Sequence, residues 1–413
     1  MVGERELVMR IEASPATHLT YCTNVHAAES LEEVRSVLAG PVLAVKERVS
    51  PTAPFGVGLR LSARAAVELE HPEELARLAG QLSDAGLYAF TLNGFPYGQF
   101  HSARVKERVY RPDWLESERV EYTRSLSRAL AVLLPDGMVG SISTVPGCFK
   151  PRAAGAATMR AMALNVATAA AELVRIERDT GKHLALALEP EPFCAFETTR
   201  ETIDFFQQAL ADEAVTSLFA RRCGIAQARA EEELRRYVGV CLDACHAAVE
   251  FESPLEALRA LTGAGISVPK IQVSAGLVVR ELGRHAASLS SFADETYLHQ
   301  VVARTPSGFQ RYLDLPEAIE RAPLLPSDTE WRVHFHVPVF RALLEPFSTT
   351  QSVLTELLEA PETLQTVPHL EVETYTFGLL PERYRNEPVV NTIARELDWT
   401  REALARSLSP GAE

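Results

Sequence analysis

Three stretches of the chain put acids and histidines at the ends of apolar runs, a combination suited to chemistry. They are LALALEPEP (184–192), VGVCLDACHAAVEFE (238–252) and HLEVETYTF (369–377). A carboxylate taken out of water is costly unless it is paired or coordinates a metal. Several acids converging on one rim therefore point to a divalent cation, with manganese, magnesium, zinc and cobalt all open.

Asp243 ends its run and His246 lies three residues on. That spacing lets the carboxylate bind a metal while the imidazole enters the same cavity as a ligand or general acid/base. The alternative is an Asp243 that caps the next helix, with His246 packed on its first turn. In LEPEP, Glu189 ends the run, and Pro190 and Pro192 stiffen the exit. Period-two alternation puts Glu191 on the same side as Glu189, inside the cavity or out on a rigid loop. Glu371 and Glu373 share a face. Glu373, nearer the end, is the expected ligand, with Glu371 deeper or paired with an arginine.

Gln272 and Ser274 also share a face, and an amide oxygen can serve a hard cation. The expected metal set is thus Glu189, Asp243, Gln272 and Glu373. His334 and His336 in VHFHVP lie on one strand face and suit a metal or a substrate phosphate. His26, Asn93 and His101 follow other strand-like runs. Together with Glu191, Ser274, His334 and His336 they are expected to line the substrate pocket.

The elements that must position these residues alternate along the chain. Strand-like runs occupy 19–24, 55–61, 87–95, 139–146, 183–190, 238–245, 268–276, 331–340 and 369–377. Between them, apolar residues recur at spacings of three and four, as in 72–82, 118–134, 158–179 and 201–211. This alternation predicts parallel strands with right-handed crossovers. The number of runs favours a (β/α)8 barrel, whose carboxyl strand ends form the active-site face. One run is then left for an excursion. The long gap at 278–368 is expected to hold it as an inserted lobe between strands seven and eight, within one elaborated domain whose core spans about 19–400. The second gap, 198–236, is expected to hold two or more helices.

The formal net charge of −14 and the absence of a dense Lys/Arg run argue against nucleic acid as a partner. No stretch approaches the roughly 20 apolar residues that span a bilayer. Charges run through the opening MVGERELVMRIEASP, so no signal peptide is expected. The six cysteines lack CxxC spacing and read as reduced, buried thiols of a cytoplasmic protein. Neither a GxGxxG, a GxxxxGK[ST] nor a GxSxG motif appears in a matching context.

The order Glu189, Asp243 with His246, and Glu373 resembles the xylose-isomerase-like barrels, a superfamily of sugar isomerases, epimerases and endonuclease-IV-type hydrolases. The pattern departs at strand seven, where Gln272 stands in place of the usual histidine. VHFHVP is similar to an Asp-x-His segment of the hydrolase members, with His for Asp. A longer set of segments, among them LTYCTNVH, FTLNGFPYGQFH, VYRPDW, GVCLDACHAAVEFE, YLHQV and HLEVETYTF, resembles the EboE family of metabolite-traffic proteins. The resemblance implies a metal-dependent isomerase or epimerase acting on a small hydroxy-carbonyl metabolite, a sugar or sugar phosphate, with Glu189, Glu373 and His246 catalytic. It also implies other components of a traffic system as partners. A phosphoester hydrolase and a non-catalytic metabolite carrier are the alternatives.

Overall fold

The computed structural model describes residues 9–11, 16–101 and 105–408. Most of the charged opening segment at 1–15 lies outside them. Strands one to eight are Thr17–Tyr21, Phe55–Arg60, Leu87–Asn93, Gly140–Thr144, Leu184–Leu188, Val238–Asp243, Lys270–Val273 and His369–Val372. Each pairs in parallel with its neighbour in chain order from strand two onward, and strand eight also pairs with strand one. The ring shuts between strands one and two, where Cys22 bridges Gly58. Thr20 Oγ1 reinforces that seam, accepting from the Gly58 N–H at 3.1 Å and donating to the Gly56 carbonyl at 2.7 Å. The result is the (β/α)8 barrel that the alternation predicts.

Local chemistry accounts for the helices around it. Pro72–Asp84 opens with proline in its first turn and Glu73 and Glu74 beside it, favoured at a helix N-terminus. Ser30 with Glu33, and Thr198 with Glu201, form capping boxes. Ala156–Thr180 ends on Gly181 in the left-handed region at φ 75°. The helix expected over 201–211 starts as Thr199–Asp204 and widens into a π-helical segment, Phe205–Leu210.

The excursion between strands seven and eight is larger than one strand. It carries a six-stranded sheet built from Leu277–Val279, Val301–Thr305, Gly308–Tyr312, Glu330–Val333, Leu343–Leu344 and Phe347–Thr349. All its pairings are antiparallel. These strands are two to five residues long, too short for a clear alternating signal. The run expected at 331–340 is likewise a strand only to Val333. His334 and His336 therefore lie on the irregular stretch beyond it, across the barrel mouth, and not on a strand face.

The barrel interior is polar. Lys270 Nζ lies 2.5 Å from Glu371 Oε2 and 3.4 Å from Ser143 Oγ. The partner of Glu371 is thus a lysine from the neighbouring strand, where an arginine was expected. His369 Nδ1 lies 2.8 Å from Ser141 Oγ, which lies 2.8 Å from Thr91 Oγ1. This floor sits under the carboxyl ends of the strands.

Candidate metal centre and active-site cavity

Asp243 is the last residue of strand six and the N-cap of helix Ala244–Val249. Its Oδ1 accepts from the His246 N–H at 2.8 Å and from Ser274 Oγ at 2.7 Å. Its Oδ2 is buried with no hydrogen-bond partner among the described residues. Both readings of the DACH motif hold at once: one oxygen caps the helix while the other faces the histidines. Oδ2 lies 3.7 Å from His246 Nε2 and 3.9 Å from His336 Nε2.

A third imidazole, that of His334, bridges these two. His334 Nε2 lies 3.1 Å from His246 Nε2 and 3.2 Å from His336 Nε2. Each ring's other nitrogen meets a carbonyl-type oxygen: Nδ1 of His246 donates to Pro190 O (2.9 Å), of His334 to Gln300 Oε1 (2.8 Å), and of His336 to Glu373 O (2.8 Å). An oxygen of that kind only accepts, so each Nδ1 carries a proton and Nε2 is the atom left to meet a metal. Burial, then the neighbouring rings, holds His334 well below the usual histidine range. Burial likewise lowers His336 to about 4, against the pull of Asp243.

The three Nε2 atoms lie within 4.8 Å of one another, and the unpartnered Asp243 Oδ2 stands beside two of them. Ligands about 2.0–2.2 Å from a tetrahedral cation lie about 3.3–3.5 Å from one another, close to these separations. The residues present fit a divalent cation, and three imidazoles suit zinc or cobalt better than magnesium. Carbonyl acceptors behind the ligating rings are the usual outer support of such sites. Two further triplets have their ligand atoms within 4.8 Å of one another, Asp243 with Cys245 and His336, and Glu189 with Asp243 and His246.

Beside this centre opens a cavity of about 530 Å³. Glu189, Glu191, Glu373, Asn24, Asn93, His246 and His334 line its polar side, and Phe95, Phe100, Tyr110, Tyr297, Leu298 and Tyr375 are among its apolar walls. Glu373 Oε1 accepts from Asn24 Nδ2 at 2.6 Å and Asn93 Nδ2 at 3.0 Å. Burial, followed by Glu373 and Asp243, pushes Glu189 well above the carboxylate range. Burial, followed by Asp243 and Glu371, does the same to Glu373. Glu191 is raised to about 7, again chiefly by burial.

Of the expected pocket residues, the cavity wall includes Asn93, Glu191 and His334. His336 stands behind His334, and Ser274 stands behind Asp243 as a hydrogen-bond donor. His26 is half-buried at the Tyr21 hydroxyl (3.1 Å), outside the cavity lining. His101 braces the cavity from behind, with ring nitrogens at Asn24 O (2.5 Å) and Tyr297 Oη (3.1 Å). Gln272 is buried beneath the rim, and neither end of its amide has a partner among the described residues. Asn24, Tyr110 and Gln300 are site residues beyond the expected set, although each lies within one of the motif segments. A polar residue just past a strand was the available signal for Asn24; nothing local marks the other two.

No protein-family profile matches the chain, and no curated protein sequence does. Similar solved structures include an L-ribulose 3-epimerase (11% identity, 95% of this chain and 96% of that one, TM-score 0.49). Another is the IOLI protein with a binding zinc atom (12%, 95% and 99%, TM-score 0.46). A third is a xylose isomerase domain protein from Alicyclobacillus acidocaldarius (12%, 95% and 100%, TM-score 0.44). Likeness at this distance assigns no residue a role, and the barrel stands on its own strand order. No described helix is long and apolar enough to cross a membrane.

Proposed function

We propose that this chain is a divalent-metal-dependent isomerase or epimerase of a small, uncharged hydroxy-carbonyl compound. The observation that carries the reading is the pair Glu189 and Glu373. Burial and neighbouring acids raise the proton affinity of both these carboxyls, which follow strands five and eight, beside a ready donor set. Two coupled carboxyls lose their protons in separate steps, so one pH can hold an acid and a base together. Two amides donate to Glu373 and stabilise its charge, which makes it the base. Glu189 Oε2 has no partner among the described residues, which favours its protonated form and makes it the acid.

His246, His334, His336 and Asp243 would hold the cation. A bound cation supplies Lewis acidity at a carbonyl and its neighbouring hydroxyl, acidifying the C–H between them. Glu373 then takes the carbon-bound proton, and Glu189 returns one to the carbon of the product. The aromatic walls exclude water from the exchange. Lys106, the cation in the cavity lining among the described residues, is bound to Asp314 Oδ2 (2.6 Å), Tyr297 O (2.6 Å) and Asp294 O (2.9 Å). With that charge already matched, the lining favours a neutral polyol over a phosphate ester.

The three overlapping donor groupings favour a second reading, a phosphoester hydrolase using more than one cation. The EboE resemblance adds a role in metabolite traffic, a precursor bound for export and partners from that system. It rests on the motif segments alone. Six free, buried thiols are in keeping with a reducing, cytoplasmic setting.

The test is deuterium incorporation from D2O into a panel of hydroxy-ketones and aldoses, read by NMR with zinc, cobalt or manganese added. Exchange by the wild type that disappears in both Glu189→Gln and Glu373→Gln supports the reading. Exchange that persists in both variants would end it. Turnover of phosphomonoesters with two or more bound cations would select the hydrolase.

A further inference from the structure

A chain of hydrogen bonds leads from the metal-facing histidines to the cavity wall. His334 Nδ1 donates to Gln300 Oε1 at 2.8 Å, Gln300 Nε2 donates to Tyr110 Oη at 2.7 Å, and Tyr110 donates to Glu191 Oε1 at 2.9 Å. All four residues are buried. Glu191 Oε2 has no partner among the described residues, although the residue lines the cavity.

The direction of the chain is set by one carbonyl. Gln300 Nε2 also lies 3.3 Å from Pro192 O, which can only accept, so that end of the amide carries the hydrogens. The other end must accept, which holds the His334 proton on Nδ1 and frees its Nε2 toward His246 and His336. Tyr110 Oη accepts from the amide, so its own proton goes to Glu191. Gln300 and His334 come from the inserted lobe, Tyr110 from the turn Lys106–Tyr110 after strand three, and Glu191 from the exit of strand five. The chain therefore joins three separate parts of the fold.

We propose that Gln300 and Tyr110 are positioning residues that couple Glu191, a group binding a substrate hydroxyl through Oε2, to the cation affinity of His334. Hydrogen bonds in series polarise one another, and a carboxylate at the far end draws each donor's proton toward it. The pull reaches the His334 Nδ1–H and makes Nε2 a stronger ligand. A hydroxyl donated to Glu191 Oε2 drains part of that pull. Substrate and cation thus sense each other without sharing an atom. This coupling rests on the metal-dependent reading above.

The experiment is titration of the metal-free, full-length chain with Co(II), followed by its d–d absorption. Gln300→Met, which keeps volume and removes both polar ends, is expected to weaken Co(II) binding roughly 10–100-fold. Tyr110→Phe and Glu191→Gln preserve shape, and Tyr110 reaches His334 only through Gln300 while Glu191 Oε1 also lies 3.8 Å from His334 Nδ1; each is expected to weaken it several-fold and shift the spectrum. On a Gln300→Met background, Tyr110→Phe is expected to add nothing. Losses that add in the double variant, or a Tyr110→Phe protein with unchanged affinity and spectrum, would overturn the coupling alone. A wild-type chain that binds neither Co(II) nor Zn(II) would overturn the coupling and the metal-dependent reading together.

Discussion

Lys270 Nζ and Glu371 Oε2 lie 2.5 Å apart on neighbouring strands of the barrel, and neither side chain has any exposure. Burial opposes the lysine's charge, yet Glu371, with Cys241 and Cys22 nearby, holds its pKa above the ordinary value. The same ammonium lies close enough to Glu189 and Glu373 to temper the rise in their pKa values. This ion pair is the charged floor on which the acidic rim stands.

Removing one partner leaves the other buried and uncompensated. Glu371→Gln is expected to destabilise the fold by about 3–5 kcal/mol, measured by urea unfolding. Replacing both, as Lys270→Met with Glu371→Gln, should recover much of that loss. A single-variant loss below about 1 kcal/mol would mean the pair is solvated in solution.

Gly58 sits against the other oxygen of Glu371. A Cβ there would lie 1.8 Å from Glu371 Oε1 and 2.9 Å from the Tyr21 carbonyl oxygen, so neither the pair nor the strand seam can yield cheaply. Gly58→Ala is expected to give insoluble protein, or a loss above about 3 kcal/mol in urea unfolding. A soluble variant of wild-type stability would contradict this packing.

A cation bound only by the folded chain stabilises it by mass action. At about 100 times its Kd, zinc or cobalt should add about 2.7 kcal/mol, and a chelator should remove it, both visible in thermal melts. Asp243→Asn keeps an oxygen to cap the helix but loses the charge on Oδ2. That variant, like His336→Ala, is expected to fold and to lose the metal-dependent shift. A full shift in both would exclude these donors.

Glu396, on helix Val389–Ser407, ties two site segments together. Its Oε1 accepts from the Val339 N–H at 3.1 Å, just past the histidines, and from Thr374 Oγ1 at 2.6 Å, beside Glu373. Burial raises its pKa from the ordinary 4.5 to about 7, against those two donors. The folded state therefore holds the proton more tightly than the unfolded chain. The resulting stability is fully present below pH 4.5 and is lost as pH rises through 7, about 3 kcal/mol in all. Glu396→Gln cannot ionise. Its stability relative to wild type is expected to improve by about 2–3 kcal/mol between pH 5 and 8.5, measured by urea unfolding at both. A constant difference would show that Glu396 titrates normally.

The amino-acid sequence by itself determined the barrel. Its alternating periods of 2 and 3.6 are local properties, and so is the delivery of Glu189, Asp243 and Glu373 as their runs end. Same-face spacing also set Glu371 and Glu373 on one face of their run. The tertiary structure alone decided which atoms meet. Ring closure sets Asn24 against Glu373, 349 residues away, and the inserted lobe brings His334 to His246 across 88. Lys270 finds Glu371 because strands seven and eight pair in register, a relation that no window of sequence contains. Hydrophobic period reports which face of an element is buried. The partner across that face depends on closure, register and the path of a loop, which long-range packing decides.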